Sequence, residues 1–180
     1  KVLNGQRIST LSSLVNNNFL DDELVILTTF NSIFIKTAPF DFYENLYLDI
    51  FISQTISISN LRDKLTEMGY TKVNTVRENN EFAIRGDIID IFNTGKENPI
   101  RIYLNNDKIE KISIFDALTQ RNKSKLKIEN KLIIFPASEI LLSKDNIEVF
   151  KKKYSSIFDI DLRNDEQYIK ILSGHRISGI

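Results

Sequence analysis

The chain lacks cysteine altogether and has a single histidine among its 180 residues. Without cysteine it has no disulfide, no thiolate nucleophile and no cysteine-ligated zinc, a composition typical of the reducing cytoplasm, which is the location we predict. With His175 as the only histidine, neither a histidine-based catalytic triad nor a multi-histidine metal site can be assembled from this chain. We interpret His175 as a surface residue in a loop.

The chain also has no excess of positive or negative residues and no long apolar run. The 24 Lys and Arg residues balance the 24 Asp and Glu residues, so no overall field marks a binder of nucleic acid or of a membrane surface. No apolar run approaches the roughly 18 residues that a membrane helix needs, and the opening "KVLNGQRIST" lacks the apolar centre of a signal peptide. We expect no membrane partner. Because the chain opens on Lys1 and stops after "GHRISGI", we interpret it as a segment of a longer polypeptide.

The hydrophobic pattern of the first 30 residues predicts the beginning of an α/β domain. In "RISTLSSLV", residues 7–15, helical spacing places Ile8, Leu11 and Val15 on one face. "LVILTTF", residues 24–30, is a short apolar run rich in β-formers, typical of a buried strand.

Residues 46–53, "LYLDIFIS", predict another strand, and a short helix follows it. Asn60 with Asp63 three positions later resembles a capping box, and Gly69 is suited to end the helix because glycine readily adopts the left-handed conformation. The apolar face of this predicted helix consists of Leu61, Leu65 and Met68.

From Tyr70 to Phe135 the hydrophobic period changes to two, which predicts a compact, mostly antiparallel β module. Its strand-like runs are separated by turn-rich segments such as "NTGKENP" and "DALTQRNKSK". The runs are "TKVNTV", "EFAIRG", "DIIDIF", "IRIYL", "KIEKISIF" and "KLIIF".

After Pro136 the pattern returns to helix. "KDNIEVFKKKYSSIF" repeats apolar residues at spacings of three and four, and "DEQYIKIL" predicts a second helix. The lysines in "FKKKYSS" could form a phosphate-binding patch, but three consecutive helical positions fan over a wide arc, which favours a solvated face. The repeating apolar residues are Ile147, Phe150, Tyr154 and Ile157.

No catalytic, cofactor-binding or metal-binding residue is predicted. "NTGKEN" has a Gly-Lys pair but lacks the first glycine and the hydroxyl residue of a phosphate-binding loop. The acidic residues 21–23 precede their predicted strand, whereas metal-binding carboxylates in α/β enzymes follow one. Asp87 and Asp90 are three positions apart in an extended run, so their side chains diverge and do not form an acid/base pair.

One stretch, "EFAIRGDIIDIF" at residues 81–92, carries two residues that strand propensity does not explain. Arg85 is poor core material and Gly86 is a poor strand former. The order of motifs around this stretch resembles the module shared by the excision-repair protein UvrB and bacterial transcription-repair coupling factors (Mfd). The matching positions are Gly69-Tyr70, 81–86, 89–92, 99–101, 107–109 and 135–137.

Two features are more similar to the coupling factors than to UvrB. One is "FDALTQR", residues 115–121; the other is the pairing of "RISTLSSL" with "LVILTT" upstream. The resemblance implies an α/β (α+β) fold, in which a degenerate helicase-like domain at 1–47 and 136–180 carries an inserted UvrB-type interaction module at 48–135. We also expect 48–135 to fold as an independent unit.

The resemblance further implies that this segment recruits UvrA in transcription-coupled nucleotide excision repair at stalled RNA polymerase. The segment itself is then not an enzyme; the parent is an ATP-dependent DNA translocase that uses ATP and magnesium and contacts RNA polymerase and DNA through other regions. One alternative is a fragment of a UvrB-type helicase that verifies DNA damage. Another is an unrelated all-β binding domain.

The residues that the resemblance assigns to UvrA binding are Arg85 and Arg101, because an arginine presents a planar, permanently charged fork to carboxylates. Tyr103 lies two positions from Arg101 on the same strand face, and we add it as an anchoring aromatic. The alternative for both arginines is that their stems cover the sheet while their heads bind water or a nearby carboxylate. The chain departs from the family pattern at Asp87 and in "YLNNDK", residues 103–108.

We expect the purified segment neither to bind nor to hydrolyse ATP, because no phosphate loop or catalytic carboxylate pair is visible in the sequence. Calorimetric titration with ATP and magnesium checks this. Stoichiometric binding that is lost on mutating a residue of this chain would contradict the prediction.

Overall fold

The structure is a computed structural model and describes residues 2–16, 25–123, 131–158 and 164–173. It has the α+β fold predicted from the sequence, and it divides into two units, Lys1–Glu139 and Ile140–Ile180. The described strands all lie in the first unit. The assignment of 1–47 and 136–180 to a helicase-like domain stays a prediction, as does the independent folding of 48–135.

The first unit contains a five-stranded sheet. Its strands, in the order in which they pair, are β2 (Thr71–Lys72), β3 (Glu81–Arg85), β4 (Ile88–Ile91), β5 (Ile100–Asn105) and β6 (Lys108–Ile114). All neighbouring strands are antiparallel except β2 and β3, which are parallel. This arrangement agrees with the predicted, mostly antiparallel module.

One face of this sheet is apolar because period-two alternation points every second side chain inward. In β5 the side chains of Ile100, Ile102 and Leu104 are buried, while Arg101 and Tyr103 between them lie on the other face. Neighbouring strands continue the apolar face with Phe82, Ile89, Ile91, Ile109 and Ile112, all buried.

Two further strands form a separate antiparallel sheet: β1 (Leu48–Phe51) and β7 (Lys131–Ile134). The strand predicted within residues 46–53 is thereby confirmed. The run "KLIIF" does form a strand, but it pairs with β1 and not with the five-stranded sheet.

The helix after β1 is α4 (Ile58–Glu67), and its buried apolar face is the predicted one. The predicted capping box was wrong: the helix begins one turn earlier, and the hydroxyl of Ser57 accepts the Asn60 N–H at 3.4 Å. The helix ends before Gly69, which has the expected left-handed backbone with φ of +94°.

A buried polar network joins the segment after α4, the β4–β5 loop and the exit from β7. The hydroxyl of Tyr70 donates to the Phe135 carbonyl at 2.7 Å, and Asn93 Nδ2 donates to the Ile133 carbonyl at 2.7 Å. Asn93 Oδ1 accepts the Phe135 N–H at 3.1 Å. Burial raises the pKa of Tyr70 far above its ordinary value, so the phenol stays a neutral donor.

The amino-terminal region is helical in the described residues. It contains α1 (Val2–Asn16), α2 (Phe30–Phe34) and α3 (Phe40–Asn45). The predicted helix in residues 7–15 is confirmed, but its most buried side chains are Ile8 and Ser12, whereas Leu11 and Val15 are half-buried. α1 packs against α3, and Asn16 Nδ2 donates to the Tyr43 carbonyl at 2.8 Å.

The strand predicted within residues 24–30 was wrong. Residues 25–29 form no strand, Phe30 begins α2, and Val25, Ile26 and Leu27 are exposed. An apolar, β-rich run becomes a strand only if a neighbouring strand takes up its backbone hydrogen bonds, and no described strand pairs with it.

Two contacts attach α1 to the β-rich part of the first unit. Arg7 Nη2 donates to both carboxylate oxygens of Glu139 at 3.1 Å, and Glu139 also accepts the Tyr43 hydroxyl. At the β4–β5 loop, Gly95 has φ of +68°, and a Cβ placed there would lie 2.7 Å from Ser9 Cβ.

The second unit contains α5 (Lys144–Ile157) and α6 (Glu166–Leu172), both predicted. The rings of Phe150 and Tyr154 on α5 pack against Tyr168 on α6, while Ile157 is exposed. Lysines 151–153 are exposed, as a solvated face requires. Among the described residues, no helix is both long and apolar enough to cross a membrane.

We predict that Gly95→Ala destabilises the chain more than Gly86→Ala. Both glycines have positive φ, so each substitution costs roughly 1–2 kcal/mol for the left-handed backbone. Only at Gly95 does the new methyl meet neighbours, namely Ser9 Cβ and the Gly5 carbonyl oxygen at 2.9 Å, which adds about 1–3 kcal/mol of overpacking. Urea unfolding of the two variants measures the difference. Equal losses would mean that α1 does not pack on this loop.

Candidate functional site

The antiparallel register gathers the sequence-predicted site residues on the face of the sheet opposite the apolar face. Asp90 is paired with Arg101 across β4 and β5, and Arg85 is paired with Ile88 across β3 and β4. Ile88 is in turn paired with Tyr103. We call this surface, comprising Arg85, Ile88, Asp90, Arg101 and Tyr103, the Asp90 face.

Asp90 is the centre of this face, and its side chain is 0% exposed. Arg101 grips the carboxylate with two bonds, Nε to Oδ1 at 2.6 Å and Nη2 to Oδ2 at 2.9 Å. A charge with no access to water is tolerated only when it is paired and hydrogen-bonded. The two-pronged contact meets that requirement with one partner.

Arg85 makes a second contact with the same carboxylate, from Nη2 to Oδ2. It differs from Arg101 in its exposure, because 46% of the Arg85 side chain is accessible to solvent against 13% of the Arg101 side chain. Gly86, with φ of +58°, forms the turn directly after Arg85 and returns the chain into β4. The "RG" pair is therefore the end of a strand and the start of a hairpin turn.

The guanidinium of Arg101 also contacts an aromatic ring and a backbone carbonyl. Its Cζ lies 4.4 Å from the centroid of the Phe115 ring, a distance typical of a cation–π contact, and Nη1 donates to the Gln120 carbonyl at 3.2 Å. The hydrogen bond with Asp90 is the main cause that raises the pKa of Arg101 above its ordinary value. Arg101 is a fixed, permanently charged part of the sheet.

A small apolar cluster supports the same face next to Arg101. It contains Val76, Ala83, Phe92 and Phe115, which are buried together. Gln120 ties the covering loop to it, because its Nε2 donates to the Val76 carbonyl at 2.9 Å and to the Ala117 carbonyl at 2.7 Å. These two hydrogen bonds hold the loop that contacts Arg101 against the apolar cluster.

Tyr103 lies half-buried on the outer part of the Asp90 face. Its hydroxyl accepts a hydrogen bond from Asn122 Nδ2 at 2.9 Å, and the Nζ of Lys111 stands 5.7 Å from the ring centroid. The ring is therefore held in place while part of its surface remains accessible.

The structure brings Arg85, Arg101 and Tyr103 together on one face, and Tyr103 shares the strand face of Arg101, as the spacing predicted. Their role in partner binding stays a prediction. Both arginines bind a nearby carboxylate, which is what the alternative interpretation of strand arginines required. Sequence reasoning missed the role of Asp90, which it considered only as a partner of Asp87; these two side chains do diverge, one buried and one exposed. A charged residue in the otherwise apolar run "DIIDIF" was the available signal, since a buried charge demands a partner.

Among the other candidate sites for catalysis or for a cofactor or metal, only the Gly-Lys segment lies in the described residues. "NTGKEN" is a loop between β4 and β5, as expected. His175 and residues 21–23 lie outside the described residues. Within the described part of the chain, no group of three or more His, Cys, Asp or Glu side chains is arranged to hold a metal ion.

Comparison with known proteins identifies the family of the module that contains this face. A family profile described as the UvrB interaction domain matches residues 48–140, just over half of the chain. The chain belongs to the UvrB interaction domain family. The Asp90 face lies entirely within the matched residues, so it is part of the interaction domain.

Similar proteins include transcription-repair-coupling factors and a UvrABC system protein B. The chain is 31% identical to a transcription-repair-coupling factor of Rickettsia bellii over 174 residues, which is 97% of this chain and 15% of that protein. It is 29% identical to the transcription-repair-coupling factor of Escherichia coli over 156 residues, 87% of this chain and 13% of that protein. It is 28% identical to the UvrABC system protein B of Kosmotoga olearia over 171 residues, 95% of this chain and 24% of that protein.

These comparisons confirm the resemblance inferred from the motif order. The chain spans less than a quarter of the length of each of these relatives. It therefore corresponds to one region of such proteins, the region that contains the UvrB interaction domain.

We predict that Asp90→Asn lowers the free energy of unfolding by about 3–5 kcal/mol, because it leaves two arginines without the buried charge that compensates them. Asp87→Asn is the matched control on the same hairpin: Asp87 is exposed, so its replacement should change stability by no more than about 0.5 kcal/mol. Urea unfolding measures both. Equal stabilities of the two variants would contradict the central role of Asp90.

Proposed function

We propose that this chain is the UvrA-binding segment of a transcription-repair coupling factor and recruits UvrA to DNA lesions where RNA polymerase has stalled. Membership of the UvrB interaction domain family supports the docking role. Similarity to coupling factors over 97% of the chain supports the parent. The observation that carries the proposal is the half-exposed Arg85, whose guanidinium stands at the surface of the Asp90 face.

Arg85 is able to exchange partners without harming the fold. Arg101 already binds both oxygens of Asp90, so the buried carboxylate stays paired if Arg85 turns toward a carboxylate of UvrA. An arginine–carboxylate contact in an interface is often two-pronged and gives both affinity and orientation. Arg101 then acts indirectly, by holding Asp90 and the sheet in place.

Tyr103 supplies the apolar part of the contact. Its ring is fixed by the hydrogen bond from Asn122, so little side-chain entropy is lost when a partner covers it. Tyrosine and arginine are the residue types that most often dominate the binding energy of protein interfaces. A docking surface built from Arg85 and Tyr103 combines an aromatic anchor with a charged fork.

The activities of the parent belong to this proposal as well. We propose that the parent is an ATP-dependent DNA translocase of the cytoplasm, with ATP and magnesium bound outside this segment. RNA polymerase and DNA are then contacted by other regions of the parent. The segment contributes recruitment and no chemistry of its own.

A second candidate is a fragment of a UvrB-type excision-repair helicase that verifies DNA damage. The 28% identity to the UvrABC system protein B of Kosmotoga olearia favours it. The two candidates share the UvrA-docking role and differ in the parent. Release of a stalled RNA polymerase by the full-length parent in the presence of ATP separates them, since only a coupling factor is expected to displace polymerase.

We predict that Arg85→Ala weakens UvrA binding while hardly changing the melting temperature. The loss should be about 2–5 kcal/mol if a partner carboxylate is left buried and unpaired. Arg101→Ala should weaken UvrA binding and also lower the melting temperature, because Asp90 loses its two-pronged partner. Arg85→Lys keeps the charge but not the fork, so an intermediate affinity is expected. Calorimetric titration with UvrA, paired with thermal melts, measures both properties.

Arg62→Ala is the control for this experiment. The Arg62 side chain is 47% exposed and pairs with Asp63 at 3.0 Å, so it matches Arg85 in exposure, but its partner is an exposed carboxylate and the pair lies on α4. It should leave UvrA binding unchanged. Normal UvrA affinity in a folded Arg85→Ala, Arg101→Ala double variant would refute the docking role.

A further inference from the structure

A row of four side chains crosses the outer part of the Asp90 face. Arg85 is in register with Ile88, Ile88 with Tyr103, and Tyr103 with Lys111. The four positions belong to four successive strands of one sheet. Because neighbouring strands lie about 4.8 Å apart, the backbone positions of Arg85 and Lys111 are separated by about 14 Å.

The row has a cation at each end and apolar surface in the middle. Arg85 and Lys111 are exposed, whereas Ile88 and Tyr103 are half-buried between them. Protein interfaces commonly combine an apolar, aromatic centre with a charged, solvent-accessible rim. The row has this composition within the span of four strands.

The charges of the row are not balanced on the face itself. Asp90 is shared by Arg85 and Arg101, so these two arginines and Lys111 stand beside one buried carboxylate. The other carboxylate on this face of β3, Glu81, accepts the N–H groups of Arg77 and Glu78. No described residue forms an ion pair with Lys111; its Nζ instead lies over the Tyr103 ring. Two exposed carboxylates are near Lys111 in the sheet without forming an ion pair with it: Asp87 belongs to the turn, and Glu110 precedes Lys111 at the bulge between Tyr103 and Leu104.

We propose that Lys111 is a second cationic contact of the docking surface. The partner surface that fits this row carries two carboxylates, one for Arg85 and one for Lys111, on either side of an apolar side chain that packs against Ile88 and Tyr103. This inference rests on the proposed function, and it assigns to UvrA an acidic epitope with an apolar centre. Electrostatic complementarity of this kind mainly sets the association rate and its salt dependence.

Charge reversal at Lys111 tests the inference. Lys111→Glu should weaken UvrA binding by about tenfold or more, because a carboxylate would then face a carboxylate. Lys111→Ala should weaken it by only about two- to fivefold, the range of an exposed ion pair. The dependence of affinity on salt concentration should become less steep in both variants, because one attractive charge pair is lost.

Lys72→Glu is the matched control. Lys72 is an exposed lysine of the same sheet, but it is in register with Phe82, whose side chain lies on the apolar face. Lys72→Glu changes the net charge of the chain by the same amount as Lys111→Glu. Titrations with UvrA over a range of sodium chloride concentrations, with thermal melts for folding, compare the variants.

The outcomes separate the inference from the function on which it rests. If Lys111→Glu weakens binding and Lys72→Glu does not, the inference is supported. If both reversals have the same effect on a chain whose UvrA binding still depends on Arg85, the inference is refuted and the docking role stands. If the unmodified chain does not bind UvrA, the proposed function and the inference both fail.

Discussion

The buried carboxylate of Asp90 is the constraint on which the candidate site depends. A charge that is wholly removed from water must be compensated by partners in good geometry, or the fold loses several kcal/mol. In this chain the partners come from two other strands, Arg85 on β3 and Arg101 on β5. The ion pairs therefore require the register of three strands to be correct at the same time, and they connect the stability of the sheet to the position of its surface cations.

Sharing one carboxylate gives the two arginines different roles. Arg101 is nearly buried, uses both oxygens of Asp90 and rests on the Phe115 ring. Arg85 reaches the same group from the exposed end of a hairpin. Only the second arrangement leaves a guanidinium available to another molecule. A lysine at position 101 would not reproduce this division, since it cannot grip two oxygens in one plane.

The surroundings of the site hold it in one arrangement before any partner binds. The covering loop is hydrogen-bonded through Gln120 to two carbonyls, and Asn122 restrains Tyr103. On the other side of the module, the buried network of Tyr70 and Asn93 joins the β4–β5 loop to the end of β7. A surface held in this way loses little conformational entropy on association, so more of its contact energy contributes to affinity.

The sequence by itself determined the elements whose signal is local. Period-two alternation identified the strands between residues 81 and 114, and the apolar stripe of α4 was found from helical spacing, because each pattern depends only on the geometry of its own segment. Tertiary structure decided everything that depends on a neighbour. Residues 25–29 have strand composition but no described pairing strand, and β7 pairs with β1 although its sequence pattern grouped it with the strands of the five-stranded sheet. The same holds at the site. Arg85 and Arg101 were recognised from the motif, but their common partner Asp90 was identified only from the strand register, which places it between them. Register is a relation between strands, so no single strand's sequence determines it.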